Sequence, residues 1–162
     1  MIALRKMNDE EYLRFREYSI ADYAKDLMNG ENLPEEKALA DAADEFSDML
    51  PDGQDTEDQF LMIIEDRESK KEAGWIWFCY EDGDDGSAQV FLNDFLIYEE
   101  SRRQGYATAA LREMEKKAKA DGCKASVLFV WDHNPAGISL YQECGYVAGA
   151  REEGGAYMKK KL

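Results

Sequence analysis

The chain has 162 residues and a mass of 18.5 kDa, a length that suits one domain. Hydrophobic residues make up 44% of it, which is enough for a folded core and excludes wholesale disorder. The formal net charge of −15 argues against binding to nucleic-acid backbones and to anionic membrane surfaces.

The sequence also argues against a membrane protein, a metal-binding protein and a disulfide-linked protein. No apolar run is long enough for a transmembrane helix, and the first residues lack the apolar core of a signal peptide. The three cysteines, Cys79, Cys123 and Cys144, show no CxxC spacing, and His133 is the only histidine. We therefore expect neither a disulfide framework nor a metal site. We expect the protein to be located in a reducing cytoplasm.

The charge is unevenly distributed along the chain. Residues 1–86 hold 25 acidic and 9 basic side chains, a net of −16, whereas residues 87–162 hold 10 and 11, a net of +1. One interpretation is that the two halves bind unlike ligands. The other is that the acidic half is only a solvated helix surface.

The first 59 residues predict one strand and two helices. Residues 1–7 alternate weakly and predict an edge strand. Asn8 followed by Glu11 has the spacing of a capping box and predicts a helix that ends near residues 29–30. Pro34 occupies a first-turn position and opens a second helix, which ends at residue 51.

The remainder of the chain predicts six strands and two helices. A helical apolar period runs from Ala107 to Ala118 and is closed by Gly122, and Asn134 begins a short helix that continues through Cys144. Short apolar runs between turns predict the strands, at 60–64, 74–80, 88–98, 125–131, 146–151 and 156–161. The order β-α-α-β-β-β-α-β-α-β-β indicates an α/β fold with a mixed sheet.

Residues 95–108 carry the clearest chemical signal, because a strand there runs through a loop directly onto a helix. A helix N-terminus offers unpaired N–H groups and the positive end of a dipole, which together bind anions. Gly105 and Ala107 allow close approach of a phosphate, and Arg102 and Arg103 add positive charge. No Lys-Ser/Thr follows the glycine and no GxGxxG is present, which excludes a P-loop and a dinucleotide fingerprint.

Two motifs in this half of the chain resemble those of the GNAT superfamily of N-acetyltransferases. Residues 102–107, RRQGYA, fit the motif A pattern Q/R-x-x-G-x-G/A. Residues 134–146 resemble the N-x-x-A-x-x-L-Y-x-x-x-G-F block, with Gly137 in place of alanine and tyrosine in place of the last phenylalanine. The resemblance covers about residues 60–162, and residues 1–59 match only in the order of their elements.

The resemblance implies one acyltransferase domain over residues 1–162, with a mixed, mostly antiparallel sheet flanked by helices. Residues 1–59 would form acceptor-side helices, and residues 60–162 would form the acyl-CoA-binding core. Acetyl-CoA would be the acyl-donor cosubstrate, with no metal. The residues implied to bind it are Phe95, Leu96, Ile97, Arg102, Arg103, Gln104, Gly105, Tyr106, Ala107, Thr108 and Asn134.

Each part of the cofactor is implied to have its own partners. The N–H groups of residues 103–108 would hold the diphosphate. The backbone of residues 95–97 would pair with the pantetheine arm and polarise the thioester carbonyl. Asn134 would contact the cofactor from the end of the strand predicted at 125–131. The alternative is that Asn134 only caps the N-terminus of the helix that follows.

Two side chains are implied in catalysis. Tyr141 would protonate the departing thiolate, and its alternative role is aromatic packing. Asp94 would be the base for the amine, and the alternative is a structural carboxylate, with water as the base. Asn93, Phe95 and Ile97 alternate to the face opposite Asp94 unless a bulge intervenes. His133 is expected to be a surface residue beside the helix cap.

No motif names the acceptor. The acidic excess in residues 1–59 favours a cationic amine as the acceptor, either a small molecule or a peptide. The oligomeric state is left open, and a homodimer is one possibility. Aromatic side chains of the first helix and a central strand could wall the acceptor pocket or belong to the core. They are Tyr12, Phe15, Tyr18, Tyr23, Trp75 and Trp77.

We interpret the chain as an acetyl-CoA-dependent N-acetyltransferase that acts on a primary amine by direct attack in a ternary complex. One alternative is a catalytically silent acyl-CoA-binding or regulatory module, which would keep the loop and not need Tyr141. Another is an acidic interaction protein that uses the fold only as a scaffold. The presence of both the loop and Tyr141 favours the enzyme, and Cys144 is expected to pack rather than to act as a nucleophile.

Overall fold

The predicted order of elements is present in the computed structural model, which describes residues 1–162. The helices are α1 (Asp9–Glu31), α2 (Glu35–Met49), α3 (Tyr106–Ala120) and α4 (Pro135–Glu143). The strands are β1 (Ile2–Lys6), β2 (Gln59–Asp66), β3 (Glu72–Asp82), β4 (Ala88–Ile97), β5 (Ala125–Trp131), β6 (Val147–Glu152) and β7 (Gly155–Lys161). None of the helices combines the length and apolar character that crossing a bilayer requires.

All seven strands join one sheet in the order β1-β2-β3-β4-β5-β7-β6. Strands β4 and β5 run parallel, whereas the pairs β1–β2, β3–β4, β5–β7 and β6–β7 are antiparallel. Strand β1 lies at one edge, as its weak alternation predicts. The sheet is therefore mixed and mostly antiparallel, as the sequence leads us to expect.

The parallel pair β4–β5 is joined along only part of its length. Pairing runs from Gln89 opposite Ala125 to Leu92 opposite Leu128 and then stops. Strand β4 continues to Ile97 and strand β5 to Trp131 without further pairing between them. The facing edges of the two strands beyond Leu92 are consequently not joined in a ladder.

A β-bulge in β4 decides which way its side chains face. Trp77 pairs with Asp94, but the next residue of β3 pairs with Leu92, so Asn93 is the extra residue. Leu92 and Phe95 both pack on the core side of the sheet, and Asp94 lies on the opposite side. The buried Nδ2 of Asn93 has no hydrogen-bond partner.

The main core lies between the sheet and α3. Helix α3 contributes its apolar stripe to this core, at Ala110, Leu111, Met114 and Ala118. A polar cluster is buried beside it, where Glu115 accepts hydrogen bonds from Tyr146 Oη at 3.0 Å and from Lys160 Nζ at 2.7 Å. Ser126 Oγ lies 2.6 Å from the same tyrosine oxygen. These bonds join α3 to β5 and β7.

The chain divides into two units, one formed by Met1–Lys6 with Phe60–Leu162 and the other by Met7–Gln59. Strand β1 belongs to the sheet unit because it pairs with β2.

The Met7–Gln59 unit holds α1 and α2. The predicted capping box is present, since Glu11 N–H donates to Asn8 Oδ1 and Asn8 N–H donates to Glu11 Oε2. Helix α1 ends later than predicted, at Glu31, where Asn32 adopts a left-handed conformation with φ of 53°. The rings of Phe15 and Phe46 lie 6.1 Å apart and join the two helices.

Candidate active site

The loop between β4 and α3 has an unusual backbone. It begins with a single turn of 3-10 helix at Glu99–Ser101, and it contains two residues with positive φ, Arg103 at 59° and Gly105 at 82°. Gly105 precedes the first residue of α3 and tolerates this conformation because it has no side chain. Left-handed residues also occur in the turns that present backbone N–H groups to anions in other proteins.

Six consecutive N–H groups in this loop, those of residues 103–108, donate no hydrogen bond within the chain. The first bond at this end of α3 runs from Ala109 N–H to the Gly105 carbonyl, at 3.1 Å. A row of unbonded donors at the positive end of a helix dipole is suited to a phosphate or diphosphate. We call residues 103–108 the phosphate loop.

Two side chains named by the motif hold the loop rather than extend from it. Arg102 Nε donates to the Ile97 carbonyl at 3.1 Å, and Gln104 Nε2 donates to the Glu100 carbonyl at 3.0 Å. Both bonds are local and close the loop on itself. All three side chains are exposed, but Arg103 makes no hydrogen bond or ion pair within the chain, so its guanidinium is accessible to a ligand.

The edge of β4 that faces β5 offers backbone groups at residues 95 and 97. Tyr98 N–H donates to the Ala73 carbonyl at 2.8 Å, so alternate residues of β4, 96 and 98, bond to β3. The backbone N–H and carbonyl groups of Phe95 and Ile97 therefore point away from β3, towards the side of β5. Two of them are occupied: Phe95 N–H donates to Asp94 Oδ1 at 3.0 Å, and the Ile97 carbonyl accepts from Arg102. The Phe95 carbonyl and the Ile97 N–H are left for an added strand.

Both oxygens of Asp94 accept hydrogen bonds. Trp75 Nε1–H donates to Oδ2 at 3.0 Å, and the other oxygen receives the Phe95 amide. Trp75 is buried, and its ring meets that of Tyr98 edge to face at 5.8 Å. The sequence did not predict the indole bond. Trp75 lies two residues along β3 from Trp77, the residue paired with Asp94, and this diagonal spacing across a strand pair is a signal that could have indicated it.

Tyr141 lies on α4 with 9% of its surface exposed, and its ring packs against Tyr146 at 5.9 Å. Its hydroxyl makes no hydrogen bond within the chain. Burial, together with the negative charge of Asp94, raises the pKa of Tyr141 to about 12. The phenol is therefore protonated at neutral pH and able to donate a proton, and it is close enough to Asp94 to feel its charge.

Asn134 begins α4 as an N-cap, since its Oδ1 accepts from Gly137 N–H at 3.0 Å. A Cβ atom at position 137 would lie 2.5 Å from Asn134 Nδ2, so an alanine here would require the Asn134 side chain to shift. The cap leaves the amide N–H groups of Asn134 for another partner. His133 is exposed, and its ring stacks on Trp131 at 5.8 Å.

The cysteines form no disulfide. Cys144 lines a polar cavity of about 310 Å³ between α3 and the end of α4, together with Thr108, Arg112 and Lys160. Burial raises the pKa of the Cys144 thiol above its ordinary value, so the thiol is a poor nucleophile at neutral pH. No group of His, Cys, Asp and Glu side chains has the arrangement of a metal site.

The aromatic side chains considered as pocket walls have different environments. Phe15, Trp75 and Trp77 are buried, whereas Tyr18 is 48% exposed. Burial and a hydrogen bond to Glu45 raise the pKa of Tyr23. A further aromatic cluster, not predicted from the sequence, lies on β5 and β7. It is formed by Phe129, Trp131 and Tyr157, and the ring of Phe129 lies 5.0 Å from that of Trp131 and 5.2 Å from that of Tyr157. The alternation within β5 is the signal that places Phe129 and Trp131 on one face.

Comparison with known proteins assigns the family. A sequence profile described as the Acetyltransferase (GNAT) family matches residues 18–146. The chain belongs to the GNAT family. This match confirms the predicted family and enzyme class, an acetyltransferase, and the solved structures below confirm the mixed α/β fold.

Two relatives from Bacillus subtilis support this assignment. YycN, named as an uncharacterized N-acetyltransferase, is 31% identical over 162 residues, with 99% of each chain covered. YdgE, named in the same way, is 29% identical over 143 residues, which cover 88% of this chain and 90% of that protein.

Solved structures show the same fold. The crystal structure of YycN superposes with a TM-score of 0.83 at 27% identity, covering 94% of this chain and 96% of that chain. The PaiA N-acetyltransferase of Thermoplasma acidophilum, crystallised with coenzyme A, superposes with a TM-score of 0.71. It is 18% identical, and the superposition covers 100% of this chain and 99% of that one.

Proposed function

We propose that this GNAT protein transfers the acetyl group of acetyl-CoA to a primary amine by direct attack within a ternary complex. The observation that carries the proposal is the row of six unbonded N–H groups in the phosphate loop, at the start of α3. Such a row, at the positive end of a helix dipole, is a favourable site for an anion and fits the diphosphate of CoA. The residues present therefore fit the cosubstrate that the family uses.

The pantetheine arm is proposed to lie along the unpaired edge of β4, beyond Leu92. The Phe95 carbonyl and the Ile97 N–H would bond to the arm as to an added strand. Asn134, at the start of α4, would donate its amide to the same arm. The Phe95 N–H already donates to Asp94, so of the two N–H groups on this edge only that of Ile97 is proposed to bond the cofactor.

Tyr141 is the proposed general acid. When the amine attacks the thioester carbonyl, the new C–N bond forms and the C–S bond breaks, and the sulfur leaves as a thiolate. The protonated phenol can donate to this thiolate, and its hydroxyl has no competing bond within the chain. Burial of the ring keeps the hydroxyl in a fixed position.

Asp94 is the proposed base. The attacking amine must lose a proton, and the Asp94 carboxylate would receive it directly or through a water molecule. Trp75 and the Phe95 amide hold this carboxylate in place. The substitution Asp94→Asn tests the role: turnover should fall most at low pH and recover as rising pH deprotonates the amine. An equal loss at every pH would favour a structural carboxylate.

A cationic acceptor is proposed from the charge of the Met7–Gln59 unit. This segment holds 17 acidic and 4 basic side chains, a net of −13 of the total of −15. A field of this sign raises the local concentration of cationic amines and their association rate. A single functional domain, a homodimer and a cytoplasmic location stay predictions.

The cosubstrate part is tested by titrating CoA in a melting assay. Because CoA should bind only the folded chain, it should stabilise the fold by about 2.7 kcal/mol at a hundredfold excess over its Kd. An unchanged Tm at millimolar CoA would contradict the proposal. A raised Tm with no transfer to any amine would instead favour the silent acyl-CoA-binding module.

A further inference from the structure

A tyrosine inside the phosphate loop is tied to a distant part of the chain. Tyr106 is the first residue of α3, and its hydroxyl donates to Asp66 Oδ2 at 3.0 Å. Asp66 is the last residue of β2 and lies 40 positions earlier in the sequence. The family motif assigns position 106 only a backbone role, so this side-chain bond needs its own explanation.

The other oxygen of Asp66 is fully engaged by the turn between β2 and β3. Oδ1 accepts from Glu68 N–H at 3.1 Å, from Ser69 N–H at 2.8 Å and from Ser69 Oγ at 3.0 Å. These bonds hold the carboxylate in one orientation. The bond to Tyr106 is consequently a charge-assisted bond to a fixed acceptor at neutral pH.

The turn is itself anchored to the beginning of the chain. Arg67 N–H donates to the Met1 carbonyl at 2.9 Å, and Arg67 Nε donates to the Ile2 carbonyl at 2.6 Å. Asp66 N–H donates to the Lys71 carbonyl at 2.9 Å and closes the hairpin. Tyr106 is therefore bonded to a well-supported part of the sheet rather than to another loop.

We propose that Tyr106 is a positioning residue that fixes the phosphate loop for the diphosphate of CoA through its hydrogen bond to Asp66. The proposal rests on the proposed function of the loop. The loop has two residues with positive φ and six N–H groups without partners, so no hydrogen bond from its own N–H groups holds its shape. A tether at the first residue of α3 reduces the ordering cost that binding would otherwise carry.

The chain offers a matched control at the opposite end of the same helix. Tyr80 Oη donates to Asp121 Oδ2 at 2.6 Å, and Asp121 follows the last residue of α3. Tyr80→Phe removes the same kind of bond as Tyr106→Phe, and neither substitution changes ring packing. Only Tyr106 lies within the phosphate loop.

The experiment measures Kd for three ligands with wild type, Tyr106→Phe and Tyr80→Phe. The ligands are CoA, 3′-phosphoadenosine 5′-diphosphate, which keeps the phosphates, and S-acetylpantetheine, which lacks them. Protein-observed titration by NMR reaches the weak affinities. In Tyr106→Phe we expect Kd for both phosphate ligands to rise by about three- to tenfold, with S-acetylpantetheine unchanged. Tyr80→Phe should leave all three values unchanged.

Each contrary outcome has a distinct meaning. Unchanged CoA affinity in Tyr106→Phe would overturn the inference while the loop assignment stands. An equal loss for S-acetylpantetheine, or an equal loss in Tyr80→Phe, would show a general structural effect and would also overturn it. Absence of CoA binding by the wild type would overturn the proposed function, and this inference with it.

Discussion

The indole N–H of Trp75 donates to Oδ2 of Asp94 over 3.0 Å, from one strand of the central sheet to its neighbour. The bulge at Asn93 makes this bond possible, because it turns Asp94 to the face on which Trp75 lies. The bond fixes the carboxylate that we propose as the base. It also accounts for a buried tryptophan nitrogen, which requires an acceptor.

Trp75→Phe should lower kcat by about 10- to 100-fold, because a displaced base is poorly placed to receive the proton of the amine. The KM for acetyl-CoA should not change, since Trp75 does not adjoin the phosphate loop. In an Asp94→Asn background the same substitution should have little further effect on kcat. A full additional loss in that background would show that Trp75 acts through another residue.

Tyr141→Phe keeps the ring and removes the hydroxyl. Turnover should fall by about 10²–10⁴-fold, in kcat and kcat/KM alike, while the Kd for CoA stays unchanged. Because the pKa of Tyr141 is raised to about 12, its ionisation should produce no basic limb in the rate profile below about pH 11. An unchanged kcat, with chemistry shown to limit the rate, would leave water as the proton donor.

Gly105→Glu should abolish CoA binding, because its side chain would place a negative charge at the phosphate loop. The position has φ of 82°, so any side chain also costs about 1 kcal/mol of stability. Gly122→Glu is the control: that glycine also has positive φ, at 101°, follows α3 and has open space around it. Calorimetry should show lost CoA affinity only at position 105, and equal affinities in both variants would contradict the loop assignment.

Asp66→Asn should change the acid stability of the fold. Hydrogen bonds from Ser69 and Tyr106 lower the pKa of Asp66 from 3.8 to about 2. A depressed folded-state pKa stabilises the fold above pH ~4, and this contribution is lost as pH falls towards 2. Urea unfolding should therefore show a difference between wild type and Asp66→Asn that shrinks from pH 5 to pH 2. A difference independent of pH in this range would contradict the assignment.

The sequence was sufficient for the order of elements, because that order depends on local periodicity. The apolar period of α3 predicted the stripe that packs on the sheet, and Asn8 with Glu11 predicted the start of α1. The phosphate loop was also predictable, since its glycine and the following helix are adjacent in the chain. Helix ends were less predictable: α1 continues to Glu31 because Asn32 supplies the left-handed residue.

The contacts that orient the site were not predictable from local pattern. The face of Asp94 depends on a single extra residue in β4, and a shift of one residue reverses every side chain after it. The bond between Asp66 and Tyr106 spans 40 positions and depends on how the β2–β3 turn meets α3. Contacts of this kind follow from sheet register and helix packing, which local sequence patterns do not reveal.

The measurement that tests the central claim most directly is acetyl transfer itself. The purified chain is incubated with acetyl-CoA and a panel of primary amines that differ in charge, and free CoA thiol and acetylated amine are both quantified. The account predicts one equivalent of thiol for each acetylated amine, faster transfer to cationic amines, and no product with Gly105→Glu. Binding of acetyl-CoA without an acetylated product from any amine would contradict it.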